Sequence, residues 1–163
     1  MKKKLLISLL LLAIGSASVF ASSKDKLGAY LGWPIGLSYS HEFTDLVELD
    51  LIASYNGFFS GYGGLNIHLG ALFTLIDGDV GGNPWALTLG PSVGGSIGFI
   101  GGVYGALDIL ADLRWEIDIT SVKGFNIFVD VAPGLTVPFK SSYYTTPVWI
   151  GYRAGVGLRY RFQ

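Results

Sequence analysis

The chain has 163 residues, of which 24 are glycine, 50% are apolar and only 14% are charged, and it has no cysteine. The absence of cysteine excludes disulfide scaffolds, cysteine metal sites and thiol nucleophiles. A formal net charge of -1 gives no reason to expect a nucleic acid as partner. So much apolar sequence is unusual for a soluble domain of this length, and the glycines show no collagen period.

The first 21 residues have the pattern of an export signal. Lys2, Lys3 and Lys4 precede an apolar run from Leu5 to Ile14, and Val19 and Ala21 form a small-x-small cleavage site. An uncleaved membrane anchor is the alternative, but Leu5 to Phe20 is shorter than the roughly 20 apolar residues that a spanning helix needs. We therefore expect residues 1–21 to be a cleaved signal peptide and residues 22–163 to be exported from the cytoplasm.

The mature chain alternates apolar and polar residues with period two. From Val148 to Phe162 the even positions are apolar, while the odd positions are mostly glycine and arginine. After Ser22 no segment carries 18 consecutive apolar residues, which excludes a helical membrane protein. The alternation predicts eight strands, at 26–33, 35–44, 46–55, 63–76, 84–100, 103–120, 123–139 and 147–162.

Two prolines fall inside the predicted strands. Pro91 and Pro133 lack the N–H that a sheet ladder needs, so a reading with ten strands would divide the chain there. The resulting halves would be shorter than the 9–11 residues of a tilted spanning strand. We therefore predict eight strands, with a β-bulge at each proline.

Eight long strands joined by short turn segments predict an all-β fold, an eight-stranded antiparallel up-and-down barrel. A soluble barrel of this size, such as a lipocalin, turns its apolar face inward, whereas a membrane barrel inverts the arrangement. The nearly unbroken apolar face, the small residues opposite it and two groups of aromatic residues near the strand ends favour a transmembrane barrel. The aromatics predicted for one rim are Trp33, Tyr55, Phe58, Phe59, Tyr62, Phe99, Tyr143 and Tyr144, and for the other Phe43, Phe73, Trp85, Trp115, Phe125, Tyr160 and Phe162.

The C-terminal segment resembles that of the small eight-stranded bacterial outer-membrane proteins, the family that includes the OmpA membrane domain, OmpX and OmpW. Gly157, Tyr160 and Phe162 match the Gly-x-x-aromatic-x-aromatic signal that the barrel-insertion machinery reads. The resemblance implies the outer membrane of a two-membrane bacterium, with outer-membrane lipids and the insertion machinery as partners. It also implies periplasmic termini, so the short connections at 33–36, 56–62, 100–102 and 140–147 would face outside, which disfavours an adhesin.

Under this topology the charged residues of the polar face line the lumen. Such charges need partners, so we expect a structural salt-bridge network that plugs the barrel. The alternative is a narrow channel or transporter for small ions or small amphipathic molecules, favoured by the excess of acids. The predicted lumenal residues are Glu42, Glu48, Asp50, Asp108, Asp112, Arg114, Glu116, Asp118, Asp130, Arg153, Arg159 and Arg161.

Catalytic chemistry has few candidates in this sequence. His41 and His68 are its only histidines; the parity of the strands places His41 on the lipid face and His68 in the lumen. Neither forms a Ser-His-acid set or a metal cluster with suitable spacing, so we expect no catalytic residue, no metal and no cofactor. We expect a structural or interaction role, with a lipid-modifying enzyme as the least favoured alternative, and the oligomeric state stays open.

Overall fold

The computed structural model describes residues 24–55, 64–98, 104–139 and 148–162. Each strand pairs antiparallel with the next and β8 pairs with β1, so the sheet closes into an up-and-down barrel, which confirms the predicted eight-stranded all-β architecture. The predicted signal peptide and the connections at 56–62, 100–102 and 140–147 lie outside the described residues. The strands are β1 (Asp25–Trp33), β2 (Ile35–Thr44), β3 (Val47–Tyr55), β4 (Gly64–Val80), β5 (Asn83–Gly98), β6 (Tyr104–Ile119), β7 (Phe125–Phe139) and β8 (Trp149–Arg161).

The two ends of the barrel are distinguished by the strand ends that lie there. The terminal rim is the end where β1 begins at Asp25 and β8 ends at Arg161, and it carries the short turns after Thr44, Val80 and Ile119. The opposite end, the loop rim, lies at Trp33, Tyr55, Gly98 and Phe139.

The barrel is inside out by the standard of a soluble protein. Among the described residues, 20 buried residues are polar or charged and only seven are hydrophobic, whereas 31 large hydrophobic residues are exposed. The alternation along each strand produces this distribution, because successive side chains point to opposite faces of a sheet. In β6, for example, Ile109 and Leu113 are exposed while Asp112 and Arg114 are completely buried.

The prolines do not produce the predicted bulges. β5 and β7 run through Pro91 and Pro133 without a change of register; the shifts lie instead between Glu42 and Thr44 and between Thr74 and Ile76. Each proline is paired with one neighbouring strand, while the ladder to its other neighbour skips the proline and the residue before it. A proline lacks only one donor, so a local gap in one ladder accommodates it and no extra residue is needed.

The connection between β4 and β5 is shorter than predicted. The sequence suggested a turn region that included Asp77 to Asp79, but β4 continues to Val80 and only Gly81 and Gly82 lie between the strands. Both glycines have positive φ, 62° and 82°, as a two-residue hairpin of type I′ requires. The Asp79 carboxylate accepts a hydrogen bond of 2.8 Å from the Gly82 N–H and fixes the turn.

Two glycines of β8 make room for aromatic side chains inside the barrel. A Cβ added to Gly157 would overlap the ring of Phe128, and one added to Gly155 would meet the ring of Tyr30. Phe128 and Tyr30 are completely buried, and their ring centroids lie 6.2 Å apart. Much of the polar face of β8 is therefore glycine because large side chains from other strands occupy that space.

Candidate functional site: the lumenal charge network

The structure places all twelve predicted lumenal residues on the inner face of the barrel. Arg114, Arg153 and Arg159 are at most 1% exposed, while Glu42, Asp118 and Arg161 lie partly open near the terminal rim. A thirteenth charged residue, Lys26, shares this face and is completely buried. Every one of these charged groups has an ionic or hydrogen-bonding partner on another strand, as the cost of burying a lone charge demands.

Lys26 is the hub of the network near the terminal rim. Its Nζ lies 2.8 Å from carboxylate oxygens of Glu42 and Glu48 and 2.7 Å from one of Glu116. Oxygens of these three carboxylates lie within 4.8 Å of one another, a spacing that could also hold a metal ion. The lysine ammonium group lies among them and neutralises their mutual repulsion.

Two arginines of β8 connect this hub to neighbouring strands. Arg159 bonds Glu116 and lies 3.1 Å from Glu48, and its remaining donors reach the side chains of Ser40 and Asn126. Arg161 makes a bidentate pair with Glu42, at 2.6 and 2.8 Å. These paired, hydrogen-bonded arginines are the arrangement in which a buried guanidinium is best tolerated.

Two further arginines fill the middle of the lumen. Arg114 makes a bidentate pair with Asp50, at 2.7 and 2.8 Å. Arg153 bonds Asp112 and lies 2.9 Å from Asp130, which also accepts a hydrogen bond of 2.8 Å from the Tyr30 hydroxyl. Because β6, β7 and β8 contribute to these pairs together with β1 and β3, the ionic contacts tie opposite walls of the barrel together.

Phe128 lies between two of the arginines. The guanidinium carbons of Arg114 and Arg159 each lie 4.3 Å from the centroid of its ring. A desolvated cation over an aromatic face is attracted by the ring quadrupole. The Phe128 ring therefore stacks with the charges around it and takes part in the plug.

A smaller polar cluster lies nearer the loop rim, around Asp108. Its carboxylate accepts hydrogen bonds from Thr136 at 2.5 Å and Ser96 at 2.9 Å, and lies 3.2 Å from His68 Nε2. The serine hydroxyl donates to the carboxylate and not to the imidazole. The cluster consequently lacks the serine-to-histidine contact of a nucleophile with its base.

Two cavities flank the plug. The loop-rim cavity has a volume of about 220 Å³ and reaches His68, Asp108 and Arg153. The terminal-rim cavity has a volume of about 190 Å³ and is lined by acidic residues together with Arg161. Between them lie the buried pairs of Arg114 and Arg159, so the described side chains divide the lumen into two separate compartments.

The outer face carries His41 and the two aromatic residues of the C-terminal pattern. His41 lies there and its Nδ1 is 2.7 Å from Asp25, which also accepts a hydrogen bond of 2.8 Å from the Tyr39 hydroxyl. Tyr160 lies edge-on to Phe125 at 6.0 Å and to Phe162 at 5.7 Å between centroids. Aromatic side chains thus cluster at the terminal rim; of the loop-rim aromatics predicted for a girdle, Phe58, Phe59, Tyr62, Phe99, Tyr143 and Tyr144 lie outside the described residues.

Sequence reasoning missed Lys26, Phe128 and the cluster around Asp108. Lys26 shares its parity with Gly28 and Tyr30, so its position in the lumen could have been inferred from β1 alone. The meeting of His68, Asp108 and Ser96 depends on the register of three strands, for which the sequence holds no direct signal.

None of the described residues belongs to a helix long and apolar enough to cross a membrane. Comparisons with protein-family models, with curated proteins and with solved structures find no match.

Proposed function

We propose that this chain is an integral outer-membrane β-barrel protein with a closed, salt-bridged lumen and a structural or interaction role in the cell envelope. The observation that carries the proposal is the inside-out barrel, with exposed large apolar residues on the outer faces of seven of the eight strands and ionic pairs inside. In water, so large an exposed apolar surface would be an aggregation liability. In a bilayer the same surface meets its matching solvent, and the closed sheet leaves no edge unpaired.

The outer membrane is the proposed location because of the export signal expected at residues 1–21 and the C-terminal pattern. Gly157, Tyr160 and Phe162 are the residues that the barrel-insertion machinery would read, and the two aromatic rings lie together on the outer face at the terminal rim. Outer-membrane lipids are the partners of the apolar band. Aromatic side chains at the rim suit the headgroup region, where a ring with a polar edge is favoured.

A matched pair of substitutions tests whether the outer face contacts lipid or water. Val131, in the middle of β7, and Val122, in the turn after β6, are both 49% exposed. In a bilayer, Val131→Arg should lower the free energy of unfolding by about 2–4 kcal/mol, the cost of arginine near the midplane of a lipid-facing strand. Val122→Arg in the turn should change it by no more than about 0.5 kcal/mol.

The measurement is urea unfolding of the barrel in phosphatidylcholine vesicles, followed by tryptophan fluorescence, with gel mobility of unheated samples as the check on folding. Equal, small effects at both positions, together with recovery of the chain in the soluble fraction, would contradict the membrane proposal.

A separate prediction about ion conductance follows from the closed lumen. Because buried ion pairs separate the two cavities, the wild-type barrel should show no ion conductance in planar bilayers. Replacing Arg153 and Arg159 together by alanine should open the plug and produce cation-preferring currents, since the lumenal acids would then exceed the bases further. Steady wild-type currents would favour a narrow channel over a structural role.

A further inference from the structure

Three polar atoms of the loop-rim cavity have no hydrogen-bond partner among the described residues. They are Asn66 Nδ2, His68 Nδ1 and Arg153 Nη1. Their side chains are only 5%, 5% and 1% exposed, so these atoms are buried rather than open to bulk solvent. Buried polar groups are normally paired, and three unpaired ones on a single cavity indicate that the cavity is built to hold something.

The three atoms define a specific hydrogen-bonding pattern. Asn66 Nδ2 and Arg153 Nη1 can only donate. His68 Nε2 lies 3.2 Å from the Asp108 carboxylate, which can only accept, so the tautomer with its proton on Nε2 satisfies this contact and leaves Nδ1 as an acceptor. An occupant that satisfies all three atoms must offer acceptors to the two donors and one N–H or O–H to His68.

The charges around the cavity favour an uncharged occupant. Arg153 is already bonded to Asp112 and Asp130, so it offers no uncompensated positive charge to an anion. The Asp108 carboxylate already accepts hydrogen bonds from Ser96 and Thr136 and contacts His68, so it is not free to bind a cation.

The size and walls of the cavity limit the occupant further. An apolar cavity of about 150 Å³ holds one benzene molecule, so the 220 Å³ here admits about nine non-hydrogen atoms. Ala106, Leu110 and Trp149 supply apolar wall beside the three polar atoms. The occupant therefore combines one polar group with a small apolar body.

We propose that the loop-rim cavity is a binding site for a small uncharged amide, whose carbonyl oxygen accepts from Asn66 and Arg153 while its N–H donates to His68. The proposal goes beyond the structural role proposed above, because it assigns a ligand class to one compartment of the lumen.

Three probes of equal size separate the possible chemistries. Benzamide carries both the carbonyl and the N–H; acetophenone keeps the carbonyl but has a methyl group in place of the amide nitrogen; benzoate is an anion with acceptors only. Binding is measured by backbone amide chemical shifts of the folded barrel in lipid nanodiscs. Benzamide should give saturable shifts around the cavity, and the other two probes should bind about tenfold more weakly, since each leaves a buried atom unpaired or adds an unmatched charge.

Variants locate the site. Asn66→Leu removes one donor at similar volume and should weaken benzamide binding by about three- to tenfold, the effect of one neutral hydrogen bond. Ser38→Ala is the matched control, because the Ser38 hydroxyl is also buried and unpartnered but does not line the cavity. If Asn66→Leu does not fold, Leu110→Phe, which fills the cavity from its wall, takes its place and should abolish binding.

Three results would overturn the proposal: no saturable shift with any probe up to about 20 mM, about twice the weakest dissociation constant expected for nine well-placed atoms; benzoate or acetophenone binding as well as benzamide; or unchanged benzamide affinity in the Asn66 or Leu110 variant. The unheated gel mobility of the same samples reports whether the membrane barrel itself has formed, so failure of the site is distinguishable from failure of the fold.

Discussion

Removing the lysine at the hub of the charge network should be one of the most damaging single changes in the lumen. Lys26→Met keeps the length and apolar stem of the side chain but removes the ammonium group, which contacts three carboxylates at 2.7–2.8 Å. Breaking a buried ion pair costs about 3–5 kcal/mol because the partner charge stays buried. Glu48 and Glu116 keep Arg159 as a partner, and Glu42 keeps Arg161, so we expect the lower end, about 3 kcal/mol.

Urea unfolding in phosphatidylcholine vesicles measures this loss. With a slope of about 1–3 kcal/mol per molar urea, the midpoint should fall by about 1–3 M. Lys123→Met is the matched control, because Lys123 is exposed in the turn after β6 at the same rim and the same change there should cost no more than about 0.5 kcal/mol. A loss below about 1 kcal/mol in Lys26→Met would refute the reasoning that this ammonium group holds the three carboxylates together.

A divalent cation gives the same variant a second readout. Oxygens of Glu42, Glu48 and Glu116 lie within 4.8 Å of one another, which suits Ca²⁺ with its oxygen ligands at about 2.3–2.6 Å. In Lys26→Met, Ca²⁺ at about 100 times its dissociation constant should restore about 2.7 kcal/mol. The wild type should gain little, since its ammonium group already lies among these oxygens. If Lys26→Met gained as little stability from Ca²⁺ as the wild type, the carboxylates would have separated once the lysine was removed.

Two further predictions concern packing inside the barrel, one checked by urea unfolding and the other by the mobility of unheated samples on a gel. Phe128→Leu should lower the free energy of unfolding by about 2–4 kcal/mol, because it removes a completely buried ring that has two guanidinium carbons 4.3 Å from its centroid. Phe73→Leu on the outer face should lower it by less than about 1 kcal/mol. Similar losses at both positions would argue against the stacking. Gly28→Ala should impair closure of the barrel, because an added Cβ would overlap the Leu158 carbonyl oxygen across the seam between β1 and β8, while Gly95→Ala, with its nearest neighbour at 3.8 Å, should fold normally. Normal unheated gel mobility of Gly28→Ala would contradict the close packing of that seam.

Much of the fold follows from local properties of the chain. The alternation in β6 and β8 was enough to predict their position and which residues face inward, because period two is a property of any extended strand. The predicted end of β4 was wrong: Asp77 to Asp79 have turn-forming composition, yet they belong to β4, and the turn is formed by Gly81 and Gly82, which have positive φ. The bulges expected at Pro91 and Pro133 were also wrong, because a gap in one ladder is sufficient there.

The candidate site could be predicted as a set of residues but not as a set of contacts. The sequence alone determined that arginines and acids share one face, since parity depends only on the position of each residue along its own strand. Which arginine meets which acid depends on register, and a pairing such as Arg114 with Asp50 spans 64 positions of sequence. The same holds for the cavity beside His68, which exists only because closure of the barrel brings β4, β6 and β8 around one space. Sequence by itself therefore determined the number of strands and the chemistry of the two faces, while the tertiary structure decided the ionic partners, the division of the lumen and the unpaired donors, because these arise from contacts between strands far apart in the chain.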